Sequence, residues 1–479
     1  MSLRIKNMDK QFTNTNTGTL LNVAVVGHTN TGKTSLIRTM LRSSEFGEVE
    51  DSAGTTRHVE LATISAGDVP ILNLHDTPGL EDTHALHSYL KYAGTHSRSD
   101  SPVKILEDFV ANIAIHDPLE QEAKVIRQVL RSDVLLYIID VREPLLEKYR
   151  VELEILTRSA KPIIPVFNFV AGHEQELSRW RDRLAAYNIH ATLEFDTVAF
   201  TFEAEKRLYQ KIQTLVEQHY VNLQKLIDYR AKVWKQLCLS GAKRIAELIV
   251  NVACYRESKD LNSNQITESL NEDRIREFVR KAEQRCLNDL LTIFKFTEKD
   301  VEIQKIPVSN GHWELDIFAP GILKAYGLDV GSAAAKGAAA GAGIDLMVGG
   351  LSLGAASALG ALAGAGWSTF RRYGDEIKAK LQGAKWLCVD ENTLQILYLR
   401  QKQLLEKIMH RGHAANVALQ IDDTTKTDFP ADWSAIISTL RQNPAWQNAS
   451  SSRNNTKLYQ EIEAKLITFL LGEEMIAAL

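Results

Sequence analysis

Gly27-His28-Thr29-Asn30-Thr31-Gly32-Lys33-Thr34 fits the pattern G-x-x-x-x-G-K-[ST], and its flanks decide the fold. Leu21–Gly27 before it is a short apolar run of strand character, and Lys33–Leu41 after it has helical spacing. A strand, a glycine-bearing turn and a helix, in that order, gather backbone N–H groups around an anion at a helix N-terminus. Gly27 and Gly32 let the backbone bend inward, and Lys33 is placed to reach the β- and γ-phosphates of a nucleotide. The Thr34 hydroxyl is a ligand for Mg²⁺, which takes oxygen donors and bridges the phosphates. The nucleotide-contacting set expected here is Gly27, Asn30, Thr31, Gly32, Lys33, Thr34 and Ser35. A chance glycine turn ahead of a helix would not bring both flanks with it.

Working outward, further apolar runs occur at His58–Ile64, Val69–Asp76, Val134–Asp140, Ile163–Phe169 and Ala191–Phe195. Helical stretches such as Glu143–Ser159 and Glu174–Tyr187 lie between several of them. Continuous runs such as Val134–Ile139 suit strands buried on both faces, and strand–helix alternation implies an α/β fold with a mainly parallel sheet. His58–Ile64 followed by Val69–Asp76 reads as a hairpin that supplies one antiparallel edge strand. The fold class expected is an α/β P-loop NTPase domain followed by a mainly helical C-terminal domain.

His75-Asp76-Thr77-Pro78-Gly79 adds a second element, 43 residues after Lys33. An acidic residue ending an apolar strand, then a tight turn, suits a sensor of the γ-phosphate. Asp76 is expected to reach Mg²⁺ through water, and the Gly79 N–H to contact the γ-phosphate. Between these motifs, Asp51-Ser-Ala-Gly-Thr-Thr-Arg57 is a polar loop ahead of a strand. Thr55 or Thr56 could close over Mg²⁺ there, although such a loop by itself is better read as a plain surface turn. Thr56 joins Lys33, Asp76 and Gly79 in the expected catalytic set, and Thr34, Thr56 and Asp76 form the expected metal set.

The three segments together resemble the Era/TrmE/EngA group of GTPases, over about Leu20 to Tyr220. Ala53-Gly-Thr-Thr-Arg57 and Asp76-Thr-Pro-Gly-Leu80 are close to that group's switch I and switch II. The whole chain resembles a set of bacterial proteins with such a domain ahead of a helical, Ala/Gly-rich region, and that likeness brings no cellular role. The resemblance implies GTP and GDP as ligands with Mg²⁺. Asn30 occupies the position where potassium-activated members carry a cation-binding asparagine, which implies K⁺ stimulation. Leu80 stands where Ras-like enzymes place a water-orienting glutamine, so K⁺ or a partner would neutralise part of the transition-state charge. Glu81 and Asp82 are the nearest carboxylates, and an acidic helix start explains them better than catalysis.

The resemblance fails at one motif. Guanine-specific members carry N-K-x-D, and here the strand ends in Phe167-Asn168-Phe169-Val170-Ala171. Asn168 matches, whereas Phe169 replaces the lysine and Ala171 the aspartate. Guanine discrimination is expected to be weaker, or Glu174 to substitute. Val198-Ala199 is a faint candidate for the last base-contacting loop. Between Asp76 and Val134 lie 57 residues, more than these GTPases usually have, and the spacing of Ile105, Phe109 and Ile113 predicts an inserted helix facing a partner.

The remainder is read from composition. The chain has 479 residues and a formal net charge of −4, without the basic footprint of a nucleic-acid binder. Its four cysteines are far apart and form no C-x-x-C pair, which fits buried thiols in a reducing cytoplasm. The polar N-terminus has no apolar signal region. Residues 1–19 read as a flexible lead-in, 20–220 as the GTPase domain and 221–479 as the helical domain. Between His173 and Asn310 the only glycine is Gly241, and no proline occurs between Val166 and Lys305, so that stretch reads as helices. Glu391–Met409 and Lys457–Leu479 read as amphipathic helices, and scattered His84, His87 and His96 as surface histidines rather than metal ligands.

Residues 331–370 are dominated by alanine and glycine, with 25 uncharged residues from Leu346 to Phe370. The G-x-x-x-G pairs there allow close helix packing, and two readings stay open: a membrane-contacting segment or a packed helical hairpin. The chain is therefore expected to be a bacterial cytoplasmic GTPase switch, peripheral to the inner membrane if that segment binds lipid. Its C-terminal domain would contact a protein partner or membrane. A nucleotide-binding scaffold with negligible turnover and a dynamin-like membrane-remodelling GTPase are the rivals.

Overall fold

The computed structural model describes residues 20–42, 46, 59–96, 101–114, 117–170, 172–197, 200–258, 265–296, 308–309, 312–313, 316–319, 344–348, 351–352, 386–410, 432–447 and 456–478. The chain divides into two compact units, and the change-over falls between Lys232 and Val233, within a single long helix.

In the first unit the strands are β1 (Leu21–Val26), β2 (Glu60–Ala66), β3 (Val69–Asp76), β4 (Val134–Asp140), β5 (Ile163–Asn168) and β6 (Leu193–Glu194). They form one six-stranded sheet in the order β2-β3-β1-β4-β5-β6. β1, β3, β4, β5 and β6 are parallel, and β2 pairs antiparallel with β3 at the edge. All seven residues of β4 and all six of β5 are buried, as their unbroken apolar runs require in a sheet covered on both faces. β2 alternates instead, with Ala62 and Ile64 buried and Leu61 and Thr63 exposed, the pattern of an edge strand with one wet face.

The helices are α1 (Lys33–Leu41), α2 (Thr83–His96), α3 (Pro102–Asn112), α4 (Glu120–Arg131), α5 (Glu147–Thr157), α6 (Glu174–Ala185) and α7 (Phe202–Leu215). α3 is the helix expected from Ile105 and Phe109, both of which are buried. Among the described residues, the long connection after β3 holds three helices, and the apolar spacing points to α3 but not to α2 and α4. On α4, Ala123, Val125, Ile126 and Val129 face the core beneath a largely charged outer surface.

α8 (Tyr220–Cys254) runs from the first unit into the second and is followed by β7 (Arg256–Ser258) and α9 (Gln265–Ile293). Gly241 has a packing reason: a Cβ there would lie 2.8 Å from Leu405 Cδ1 and 3.1 Å from Phe294 Cε2. β8 (Val308–Ser309) and β9 (His312–Trp313) form a two-stranded ladder. The Ala/Gly-rich segment departs from both helical readings where it is described. β10 (Ile344–Val348) and β11 (Leu351–Ser352) are strands, and they join β12 (Trp386–Val389) and β7 in an antiparallel sheet ordered β11-β10-β12-β7. The pairing of Leu346 with Leu387 and Asp345 with Cys388 comes from a strand some 40 residues away, a partner that local composition cannot reveal. The rest of 331–370 lies outside the described residues. Among those described, no helix is long and apolar enough to cross a membrane.

The second unit closes with α10 (Glu391–Met409), α11 (Trp433–Gln442), α12 (Lys457–Leu471) and α13 (Glu473–Ala478). Asp390 caps α10, accepting from Thr393 N at 2.9 Å and Thr393 Oγ1 at 2.7 Å. The single helix expected over Lys457–Leu479 is broken at Gly472, whose φ of +78° no longer helix can absorb. Cys238, Cys254, Cys286 and Cys388 are buried, with no disulfide.

Candidate nucleotide-binding site

β1 delivers the chain to Gly27 (φ +147°), and the turn passes through Asn30 (φ +61°) to Gly32 (φ +94°), where α1 begins. Neighbouring strands exclude a side chain at both glycines. A Cβ on Gly27 would lie 2.6 Å from the Ile138 carbonyl oxygen of β4, and one on Gly32 2.3 Å from Asn168 Nδ2 of β5. Thr31 Oγ1 closes the turn by donating to the His28 carbonyl at 3.0 Å. Asn30 is exposed at its crest, and Ser35 is half-buried.

Lys33 is buried and its ammonium donates to the carbonyls of Gly27 at 3.3 Å and His28 at 2.7 Å. Burial lowers its pKa, while the nearby Asp76, Glu152 and Glu81 carboxylates oppose that shift. Thr34 Oγ1 donates to Asp76 Oδ2 at 2.5 Å. Asp76 is fully buried at the end of β3, and its Oδ1 has no hydrogen-bond partner among the described residues. Burial pushes its pKa up to about 6, against the Thr34 bond and the Lys33 charge. An unpaired carboxylate oxygen in the interior is costly. Together with the Thr34 hydroxyl it is the donor set a hard, oxygen-seeking cation takes, so the residues fit Mg²⁺.

Gly79 packs on the phosphate loop itself. A Cβ there would lie 2.8 Å from Thr29 N and 2.9 Å from Thr29 Cα. Thr77 anchors the same turn by donating to the Val25 carbonyl at 2.7 Å. Leu80 is fully buried in the core and points no group at the site. Asp82 caps α2, accepting from Ala85 N at 2.9 Å, while its own N–H donates to Glu122 Oε1 at 2.9 Å. Glu81 is exposed. Thr55 and Thr56, with the whole Asp51–Arg57 loop, lie outside the described residues.

Asn168 is fully buried and ties three segments together. Its Nδ2 donates to the Thr31 carbonyl at 3.1 Å. Its Oδ1 accepts from Phe169 N at 3.0 Å, Thr197 N at 3.0 Å and Thr197 Oγ1 at 3.1 Å. Thr197 was missed by sequence reasoning. Its one signal is its place just before Val198-Ala199, which, like Ala171, lie outside the described residues. Glu174 begins α6 and is exposed.

His28 and Glu152 were also missed. His28 Nδ1 lies 2.9 Å from Glu152 Oε1, and the other oxygen of this fully buried carboxylate accepts from Tyr137 OH at 2.7 Å. The pair fixes the phosphate loop to α5. His87 Nε2 lies 3.1 Å from Glu154 Oε2, and no group of three metal-ligating side chains occurs among the described residues outside the site.

Two family models match successive stretches of the chain, and the boundary between them falls inside the first unit. Residues 181–468 match the domain of unknown function DUF3482, over more than half the chain. The chain belongs to the DUF3482 family. Ahead of the DUF3482 domain, residues 22–169 match the family described as 50S ribosome-binding GTPase, and this N-terminal domain is a P-loop GTPase domain. Among solved structures, the chain is similar to a point variant of Aquifex aeolicus Era bound to GDP·AlF4⁻, at 18% identity and a TM-score of 0.29, over 41% of this chain and 56% of that one. It is similar to Era in complex with MgGDPNP and a 16S ribosomal RNA segment, at 17% identity and a TM-score of 0.30, again over 41% of this chain and 56% of that one. It also resembles the G domain of the Thermotoga maritima (T. maritima) FeoB iron transporter at 15% identity and a TM-score of 0.20, over 44% of this chain and 98% of that one. The chain thus spans about half the length of the Era chains it matches. No curated protein matches it.

Proposed function

We propose that this DUF3482 protein binds GTP with Mg²⁺ and hydrolyses it slowly as a regulatory switch. The observation that carries the reading is the buried Lys33–Thr34–Asp76 cluster, in which, among the described residues, Asp76 Oδ1 has no hydrogen-bond partner and Lys33 Nζ is held by backbone carbonyls alone. When phosphates enter, Lys33 exchanges those carbonyls for β- and γ-oxygens, and the N–H groups from Thr31 to Ser35 close around them. Bound Mg²⁺ would be held by Thr34 and Asp76 and would neutralise charge developing on the phosphate oxygens. The Gly79 turn, seated on Thr29, is the part that must shift to admit a γ-phosphate, which makes it the sensor.

Leu80 gives the rival reading its one specific support. With that side chain in the core, nothing at this position orients water, which favours a scaffold with negligible turnover. Exposed Asn30, in the left-handed conformation at the crest of the loop, supports K⁺ as the missing charge. Phosphate release from GTP in matched KCl and NaCl decides between them. Turnover that rises in KCl supports the switch, and none in either salt supports the scaffold.

The output of the switch is a protein partner or a lipid surface met by the C-terminal domain. Liposome flotation of the full chain with and without residues 331–370 tests the lipid version, including the dynamin-like reading. Unchanged flotation on their removal would leave the protein partner.

A further inference from the structure

Asp140 and Asn168 end β4 and β5 and stand opposite each other in register. Arg142 and Phe169, just beyond them, therefore emerge at the same C-terminal sheet edge as the phosphate loop. A nucleotide held by its phosphates at the start of α1 extends its base along this edge. Asn168 fixes the place, because it bonds Thr31 of the loop and Thr197 beyond β6 together. Phe169 adopts φ +58°, a conformation bulky residues rarely take, and a Cβ on Gly32 would lie 3.9 Å from its Cε2. The ring is thus held beside the loop where N-K-x-D proteins carry a lysine.

Arg142 covers this ring, its guanidinium carbon 3.7 Å from the centroid. Two bonds to Asp140 set its plane, Nε to Oδ1 at 3.0 Å and Nη2 to Oδ2 at 2.7 Å. The Arg142 N–H donates to the same Oδ1 at 2.9 Å. Yet the side chain is 51% exposed, and its Nη1 has no bond among the described residues. Arg142 is thus held in one orientation at a wet surface, with Nη1 still able to donate. Such fixing makes sense for a group that reads a ligand.

We propose that Arg142, laid on Phe169 and anchored by Asp140, is the specificity-determining residue of the base site and donates to O6 of a 6-oxopurine. The inference rests on the GTP-binding reading above. A guanidinium is donor-only, so it complements the O6 and N7 acceptors of guanine. Adenine places an amino donor at the same position, and two donors then face each other. Ala171 has no carboxylate for N1–H and the 2-amino group, so recognition passes from an acceptor to a donor. The two schemes rank ligands differently. A carboxylate reader favours GTP over ITP, which lacks the 2-amino group; an O6 donor treats GTP and ITP alike and rejects ATP.

The test is competition of GTP, ITP and ATP for the Mg²⁺-loaded full chain, comparing wild type with Arg142→Ala, Phe169→Ala and Lys33→Ala. Wild type is expected to bind GTP and ITP within about threefold of each other and ATP at least about tenfold more weakly. Arg142→Ala is expected to lose about tenfold or more in GTP and ITP affinity with ATP unchanged. Phe169→Ala removes the ring beneath Arg142 and should weaken GTP and ITP in the same direction as Arg142→Ala, with ATP unchanged. If Arg142→Ala keeps the wild-type ranking, or wild type prefers GTP to ITP about tenfold, the assignment is overturned while GTP binding stands. If wild type binds none of the three, or Lys33→Ala binds them as well as wild type does, the GTP-binding reading itself falls and this inference with it.

Discussion

Thr34 Oγ1 donates to Asp76 Oδ2 at 2.5 Å, joining the first turn of α1 to the last residue of β3 across a buried interface. The other Asp76 oxygen has no hydrogen-bond partner among the described residues, and burial raises the carboxyl's pKa to about 6. Below that pH, Mg²⁺ must displace a proton. Affinity for Mg²⁺·GTP should therefore rise about tenfold per unit as pH climbs toward about 6, then level off. Titration of a fluorescent GTP analogue from about pH 5 to about pH 8 checks this. Asp76→Asn should bind more weakly at every pH and show no step; a step that survives in the variant would assign the proton elsewhere.

The same carboxyl sets a stability slope in the ligand-free protein. Its folded pKa of about 6 lies above its ordinary value, so the native state holds the extra proton in between. Stability should thus fall as pH rises from about 4 to about 6, by on the order of 2–3 kcal/mol from this group alone. Thermal melts of wild type and Asp76→Asn over that range should converge at the acid end and separate toward neutrality, with the variant the more stable. Parallel curves would contradict it.

Asn168→Ala should cost more than a base contact. It leaves the Thr31 carbonyl and the Thr197 N–H and hydroxyl unpaired in the interior, at about 1–3 kcal/mol each where water cannot enter. The expected outcome is a marked drop in Tm without nucleotide, with weaker binding of GTP and ATP alike. A variant with unchanged Tm and lost guanine preference alone would show that Asn168 reads the base and does little to hold the loop.

Gly79→Ala should force the turn after β3 off the phosphate loop, because the added methyl meets Thr29 backbone atoms at 2.8 and 2.9 Å. GDP binding should persist while GTP-specific effects disappear, measured as the ratio of GTP to GDP affinity. A variant that keeps the wild-type ratio would remove Gly79 from the sensor.

Turnover should be faster in KCl than in NaCl, and Asn30→Ala should abolish the difference. Equal wild-type rates would point to a partner-supplied charge instead. K⁺ dependence that persists in the variant would leave the cation effect standing and move its ligand elsewhere.

Much of the first unit was legible because its signals are local. Gly27 to Thr34 carries its own flanks, and the unbroken apolar run of β4 suits an inner strand. What escaped depends on contacts between distant residues. Nothing near Glu152 in sequence announces that it reaches His28, and Thr197 gains meaning only once Asn168 is seen to bond it. The Ala/Gly segment misled for the same reason. Ile344–Val348 is a strand because Trp386–Val389 pairs with it, while its glycine- and alanine-rich surroundings suggest close-packed helices. The Phe169 substitution looked like the loss of a motif, and only the position of Arg142 over its ring suggests a replacement.

On the proposed function, Lys33 seats guanosine triphosphate for hydrolysis. The most direct measurement is phosphate release from GTP with Mg²⁺ in KCl, by purified wild type and Lys33→Ala side by side, with GTP binding followed calorimetrically in the same preparations. Wild type is expected to show slow turnover and measurable GTP binding, and the variant neither. GTP affinity unchanged by the loss of Lys33 would contradict it.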